Sequence, residues 1–255
     1  MIVFSTLRTK RITLQLKELS ISDAIHLCKM PLNQYESATS ELLRRISGAD
    51  GSNRSVITDP LDMTVQERGF IVAHYLAHTG DEPNFAIDNG SFSDYIFDKS
   101  SEPPNEYVAL GELNGDLWSL RPITGRHAES IERLIGSGRL SGGFSGWLFG
   151  AMAAGLVTQS TDEPDLIDLI DDLVDEVILS KAQLIQSLPE SIFHQLVSLF
   201  FTGISMSDHL LKLRISDDGF VFEPSNLEVK GLPPVRFPVN TCIDQRTKKL
   251  FGNID

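Results

Sequence analysis

His74 and His78 stand four residues apart, the spacing that projects two imidazoles from one face of a helix as a two-point metal site. Asp81 or Glu82, just beyond, would supply a third ligand. The zincin pattern needs a glutamate directly after the first histidine, and Tyr75 occupies that place. A helix face whose histidines are partly buried or solvated accounts for the same residues. Gly136-Ser-Gly138 and Ser141-Gly-Gly-Phe-Ser-Gly146 invite comparison with phosphate loops and nucleophile elbows. Neither pattern closes, because no Gly-Lys-Ser/Thr follows and Trp147 stands where the second elbow glycine after Ser145 belongs. No complete catalytic or cofactor motif results, and no cofactor is expected.

Charge is the other chemical resource, and it is segregated. The net charge is −13, yet Arg8, Lys10, Arg11 and Lys17 precede the first acid, Glu18. At the other end Lys230, Arg236, Arg246, Lys248 and Lys249 stand against Asp244. Between them, Asp162 to Glu176 holds eight acids and no base. The acids follow helical spacing rather than the odd-position pattern of a calcium loop, so a solvated face is the plain reading. An acidic face and basic ends on one molecule would also steer assembly with neighbours, copies of itself included. On that reading Asp168, Asp171, Asp172, Asp175 and Glu176 meet Arg236, Arg246, Lys248 and Lys249 across contacts between molecules. A phosphate-tracking surface would work against the whole-molecule field, which argues against nucleic acid as a partner.

Elements that position these residues can be read locally. Alternation over Ile12 to Leu16 suggests a strand, and Ser20 with Asp23 reads as the start of a helix that ends near Lys29, before Pro31. A second helix covers Tyr35 to Ile46, and Gly48 to Asp59 reads as a loop. Thr64 and Glu67 form a capping box for a helix over Val65 to about His78. Asn114-Gly115 joins two short apolar runs, Val108 to Leu113 and Asp116 to Leu120, as a β-hairpin. A helix follows over Arg126 to Ile135. Five glycines in Gly136 to Gly146 predict a loop.

Further on, an amphipathic helix is expected over Asp165 to Leu179, and a Ser187-Leu-Pro-Glu190 cap opens a helix that stops at Gly203. Asp217-Asp218-Gly219 signals a second hairpin. The prolines after Glu223 suggest an extended arm rather than a core element. The expected fold is α+β, mainly helical with two short β-hairpins and an extended C-terminal arm. It divides into a helical region (1–104), a hairpin-plus-helix region (105–222) and the arm (223–255).

A hydrophobic fraction of 41% with 22% charged residues is ordinary for a globular chain of 255 residues. The first residues lack a signal-peptide core, so the mature chain is expected to start at Met1. Trp147 to Val157 is too short and glycine-broken for a membrane span, and Trp147, Phe149, Met152 and Leu156 read as core rather than as a partner surface. Cys28 and Cys242 read as buried free thiols in a reducing compartment.

Leu16 to Pro31 (LKELSISDAIHLCKMP) and Asp62 to His78 (DMTVQERGFIVAHYLAH) resemble segments of tail and baseplate-associated proteins of contractile-tailed bacteriophages. The hairpin leading into Leu117 to Gly125 (LWSLRPITG) resembles the strand pair followed by helices in tail assembly proteins. The resemblance implies a non-enzymatic virion tail component, in or near the baseplate or hub, whose partners are other tail or baseplate proteins. It equally covers a tail assembly chaperone, in either case made in the bacterial host cytoplasm. It carries over no active-site residue. A metal-dependent hydrolase using His74 and His78 is the enzymatic alternative.

Overall fold

The structure, a computed structural model, describes residues 2–48, 57–79, 90–97, 107–158, 170–225 and 231–239. The fold is α+β and mainly helical, with small antiparallel sheets. Strands β1 (Leu7–Arg8) and β2 (Thr13–Leu16) precede helices α1 (Ile21–Cys28) and α2 (Tyr35–Ile46), and β3 (Ser47–Gly48) returns to pair with β2. Ser20 caps α1 as its sequence requires, its hydroxyl accepting from the Asp23 amide at 3.1 Å.

Helix α3 (Val65–Thr79) opens with the reciprocal cap expected of Thr64 and Glu67. The Thr64 amide donates to Glu67 Oε2 at 2.8 Å, and the Glu67 amide donates to Thr64 Oγ1 at 3.1 Å. Every residue from Val65 to Ala73 is buried, so α3 is a central helix rather than an amphipathic surface one. A 3₁₀ turn over Phe92–Tyr95 covers it, burying Phe92 and Tyr95.

Strands β4 (Val108–Leu113) and β5 (Asp116–Leu120) form the expected hairpin, with Asn114 and Gly115 both at positive φ (55° and 86°), as the tight primed turn demands. Helices α4 (Gly125–Gly136) and α5 (Gly143–Gly155) follow, and β6 (Leu156–Thr158) joins β5. Helix α5 begins inside the stretch predicted to be a loop. Close packing uses its glycines: a Cβ at Gly146, inside that stretch, would come within 1.7 Å of the Ser141 carbonyl oxygen, and one at Gly150 would lie 2.7 Å from Ile131 Cγ2, so the second glycine lets α5 approach α4 closely. That contact offsets the roughly 0.5–1 kcal/mol a helical glycine costs. Trp147, Met152 and Leu156 are core and Phe149 packs against it.

Helix α6 (Asp171–Gln186) is displaced from the expected Asp165–Leu179; Ile170, extended, is its cap, and Asp165–Leu169 lie outside the described residues. Ser187 ends α6 instead of opening the next helix, its hydroxyl donating to the Leu184 carbonyl at 2.7 Å. Pro189, with no amide proton to place, is the cap of α7 (Glu190–Met206). Helix α7 runs through Gly203 rather than stopping there; the glycine serves packing, since a Cβ at that position would come within 2.6 Å of Leu110 in β4. Strands β7 (Lys212–Ser216) and β8 (Gly219–Glu223) make the second hairpin across Asp217-Asp218.

Of the arm expected after β8, residues 226–230 and 240–255 lie outside the described residues, and 231–239 is part of the core rather than free of it. Val235 exchanges backbone bonds with Phe222 (2.8 and 3.0 Å), and Leu232, Phe237 and Val239 are buried. Tyr35 and Tyr95 donate their hydroxyls to the Phe237 and Pro233 carbonyls at 2.8 and 2.7 Å. One cluster of buried side chains extends from Phe4 to Val239 and draws on all three predicted regions. Residues 61–65 also bond to 123–126, tying the start of α3 to the start of α4. The boundary expected near Ser100 to Asn105 lies outside the described residues. Cys28 is exposed rather than buried, and Cys242 lies outside the described residues. No described helix is long and apolar enough to cross a membrane.

Candidate functional site

His74 and His78 lie in the last turns of α3. The His74 ring packs edge-on against Phe70 at 4.4 Å, and burial, aided by the neighbouring His78, pushes its pKa down to about 4. His78 directs Nδ1 at the His74 carbonyl, 2.8 Å away, which leaves only its other nitrogen for a ligand. The two ring centroids are 6.2 Å apart. Among the described residues no three His, Cys, Asp or Glu side chains converge on one point, and Asp81 and Glu82 lie outside them.

Ser145, the other nucleophile candidate, is exposed with its hydroxyl 3.2 Å from that of Ser141. The amino end of α5 receives the protein's own carboxylate: the Phe144 amide donates to Asp217 Oδ1 at 3.2 Å. An internal acid therefore stands where a phosphate loop would hold its anion.

The acidic residues of α6 form ion pairs with its neighbour, Asp175 largely buried and Asp171 and Glu176 still more than half exposed. Asp171 pairs with Arg126 at 2.9 Å, Asp175 takes both Nη2 and Nε of Arg133 at 2.7 and 3.2 Å, and Glu176 pairs with Arg139 at 2.7 Å. Bases on and just after α4 thus clamp α6 against it, while Val174, Ile178, Ala182 and Ile185 fill the space beneath. Asp172 stays exposed, and Asp168 lies outside the described residues. Arg236 is also internal: its guanidinium stacks 3.8 Å over the Tyr35 ring, reaches Glu36 Oε1 at 3.3 Å and donates to the Asp218 carbonyl. It staples the C-terminal segment to α2. Arg246, Lys248 and Lys249 lie outside the described residues.

Sequence reasoning missed the buried polar knot that Arg236 joins. Arg68, 1% exposed, donates from Nη2 to the Glu36 carbonyl (2.6 Å) and to Ser40 Oγ (3.0 Å), with Nη1 3.6 Å from Glu36 Oε2. Glu132 of α4 caps α2, which has no side-chain cap of its own at Gln34, by accepting from the Glu36 and Ser37 amides at 2.8 and 3.1 Å. Burial, followed by repulsion from Glu36, raises the Glu132 pKa to about 7 against the pull of those amides. The knot joins α2, α3, α4 and the C-terminal segment, and beside Glu36 and Arg68 a cavity of about 10 Å³, room for about one water, lies between α2, α3 and Phe220 and Phe222 of β8. Its one sequence signal is Arg68 inside a run that is otherwise largely apolar, since a fully buried arginine must be paired.

Exposed apolar side chains mark what remains open. Val3, Ile21, Ile25 and Leu32 are exposed near the amino end, and Leu184 and Met206 on α6 and α7. A scan against family models and searches of curated proteins and solved structures return no match.

Proposed function

We propose that this chain is a non-enzymatic structural component of a phage tail, in or near the baseplate or hub, working through contacts with neighbouring proteins. The observation that carries the reading is the contrast between its charges and its apolar surface. Ionisable side chains that suggested chemistry or charge steering, Asp171, Asp175, Glu176 and Arg236, are engaged within the chain. Large aliphatic side chains stand open on α1 and again on α6 and α7, as on a subunit that meets more than one neighbour. The resemblance of Leu16 to Pro31 and Asp62 to His78 to tail and baseplate-associated segments supplies the setting; the first of these segments contains α1.

Mass spectrometry of washed particles, purified from the strain whose genome encodes the chain, tests the proposal. The expected result is a fixed copy number per tail. Presence in the lysate with absence from finished particles would overturn it in favour of an assembly chaperone.

A further inference from the structure

We propose that the cleft between α2, the 3₁₀ turn and the edge of β8 is a peptide-recognition groove, and that residues 231–239 are its built-in ligand. The partner it fits is an extended, proline-flanked segment of another protein in which an arginine directly precedes an aromatic residue. This goes beyond the structural reading above and is tested apart from it.

Gly231-Leu-Pro-Pro-Val-Arg-Phe-Pro-Val239 sits in the fold as a bound peptide does. Three of its nine residues are proline, and among the described residues no backbone hydrogen bond joins two members of the segment. Its conformation is therefore imposed by what it lies against, and the prolines limit the freedom it loses on docking. Against β8 it adds one antiparallel pair, Val235 with Phe222, the main-chain pairing by which an extended peptide joins a sheet edge. Tyr35 and Tyr95 donate to the Phe237 and Pro233 carbonyls from α2 and the 3₁₀ turn, contacts that read backbone whatever the side chain.

Specificity comes from two adjacent side chains. Phe237, fully buried, enters a box of three rings: it stacks on Phe222 at 5.1 Å and meets Phe92 and Tyr95 edge-on at 5.5 and 5.8 Å. Arg236 lies 3.8 Å over the Tyr35 ring and 5.9 Å from the centre of the Trp147 ring, with Glu36 Oε1 at 3.3 Å and the Asp218 carbonyl accepting. Two aromatic faces, a carboxylate and a carbonyl suit a planar guanidinium better than a compact ammonium. The segment carries one base and no acid, so a chain at −13 favours it and any ligand like it.

The walls are joined to one another without the segment. Arg68 bonds α3 to the Glu36 carbonyl and Ser40 of α2, the Phe97 amide ties the end of the 3₁₀ turn to the Leu210 carbonyl, and β7 pairs with β8 along its whole length. The groove therefore keeps its shape when the segment leaves. A ligand tethered in the same chain competes at an effective concentration on the order of millimolar, so the groove opens to a partner that binds tightly or is held nearby.

Fluorescence anisotropy tests the groove, with a labelled synthetic peptide of residues 231–239 titrated with the full-length chain and with full-length Arg236→Ala. Weakening the built-in ligand frees the groove, so the peptide should bind Arg236→Ala at least about tenfold more tightly than the wild type. A peptide with alanine in place of its arginine should bind that variant at least about tenfold more weakly than the intact peptide. No binding to folded Arg236→Ala, or equal binding of the two peptides, overturns the groove. Native-state hydrogen exchange of the wild-type chain needs no variant: the Val235 amide should exchange at least about tenfold faster than the Ile71 amide at the centre of α3, because the segment opens without the body. Equal rates mean that the segment leaves only when the whole chain unfolds, and overturn the proposal even if Arg236→Ala does not fold. A wild-type dimer that the peptide dissociates would give the groove to a second copy and overturn the foreign partner.

Discussion

Helices α1 and α6 present opposite lessons about where a surface is available. By sequence α6 is the conspicuous one, its amino half dense with acid, and α1 is a short helix of mixed residues. In the folded chain Asp171, Asp175 and Glu176 pair with Arg126, Arg133 and Arg139, Asp175 largely buried and the other two acids open to solvent. Helix α1 leaves Ile21 and Ile25 in solvent. A charged run reports what a helix needs to be satisfied, and a fold can supply that internally. Exposed aliphatic side chains report a satisfaction that the chain has not supplied.

The contrast breaks most visibly where charge is deepest. Arg68→Ala would remove the fully buried partner of the Glu36 carboxylate, 2% exposed, and the donor to the Glu36 carbonyl, leaving Glu36 the partly exposed Arg236. Removal of one member of a buried pair costs about 3–5 kcal/mol. Urea denaturation should register a loss of that size, and the double replacement Arg68→Met with Glu36→Gln should cost clearly less, since both charges then leave together. A small effect of Arg68→Ala would mean that water reaches the knot.

Acid titration sharpens the same comparison at the groups the fold buries. Burial is the largest cause that lowers His127 to about 3 and His74 and His209 to about 4, against an ordinary value of 6.5. The unfolded chain therefore takes up protons below pH 6.5 that the folded one refuses, and stability falls as pH drops from about 6.5 toward 4. Glu132, raised to about 7, acts in the other direction. Its contribution is fully present below its unfolded pKa near 4.5 and is lost as pH rises through 7. Glu132→Gln should steepen the loss of stability between pH 7 and pH 5 by on the order of 1–2 kcal/mol, measured by urea melts at both values. An unchanged slope would mean that the carboxylate stays ionised across the range.

How much of this was legible depended on the range of the signal. Hairpins at Asn114-Gly115 and Asp217-Asp218, the Ser20 and Thr64 caps and the span of α2 follow from neighbours within four residues, and each formed as read. Helix α5 did not, because Gly143 and Gly146 in its first turn read locally as loop, while the close approach of α5 to Ile131 on another helix has no local signature. Arg133 stands 42 residues from Asp175, and Arg68 stands 32 from Glu36, so neither pairing had a local signature. The docking of 231–239 was hidden for the same reason: its prolines argue against regular structure and say nothing of Phe237 entering the core.

The smallest effects lie on the two helix surfaces themselves. Asp175→Asn removes a carboxylate that is 14% exposed from an Arg133 that is 37% exposed, and solvent screening of such a pair holds the expected loss to about 0.5–1 kcal/mol. Ile21→Ser on α1 should change monomer stability by less than about 0.5 kcal/mol, because the side chain, 76% exposed, is largely in water before and after folding and Leu27 still anchors the helix. Melts at low micromolar concentration isolate that monomer term. If Ile21→Ser instead cost as much as Asp175→Asn or more, Ile21 would be covered by the chain itself, and the contrast between the paired acids of α6 and the open aliphatic side chains of α1 would fail.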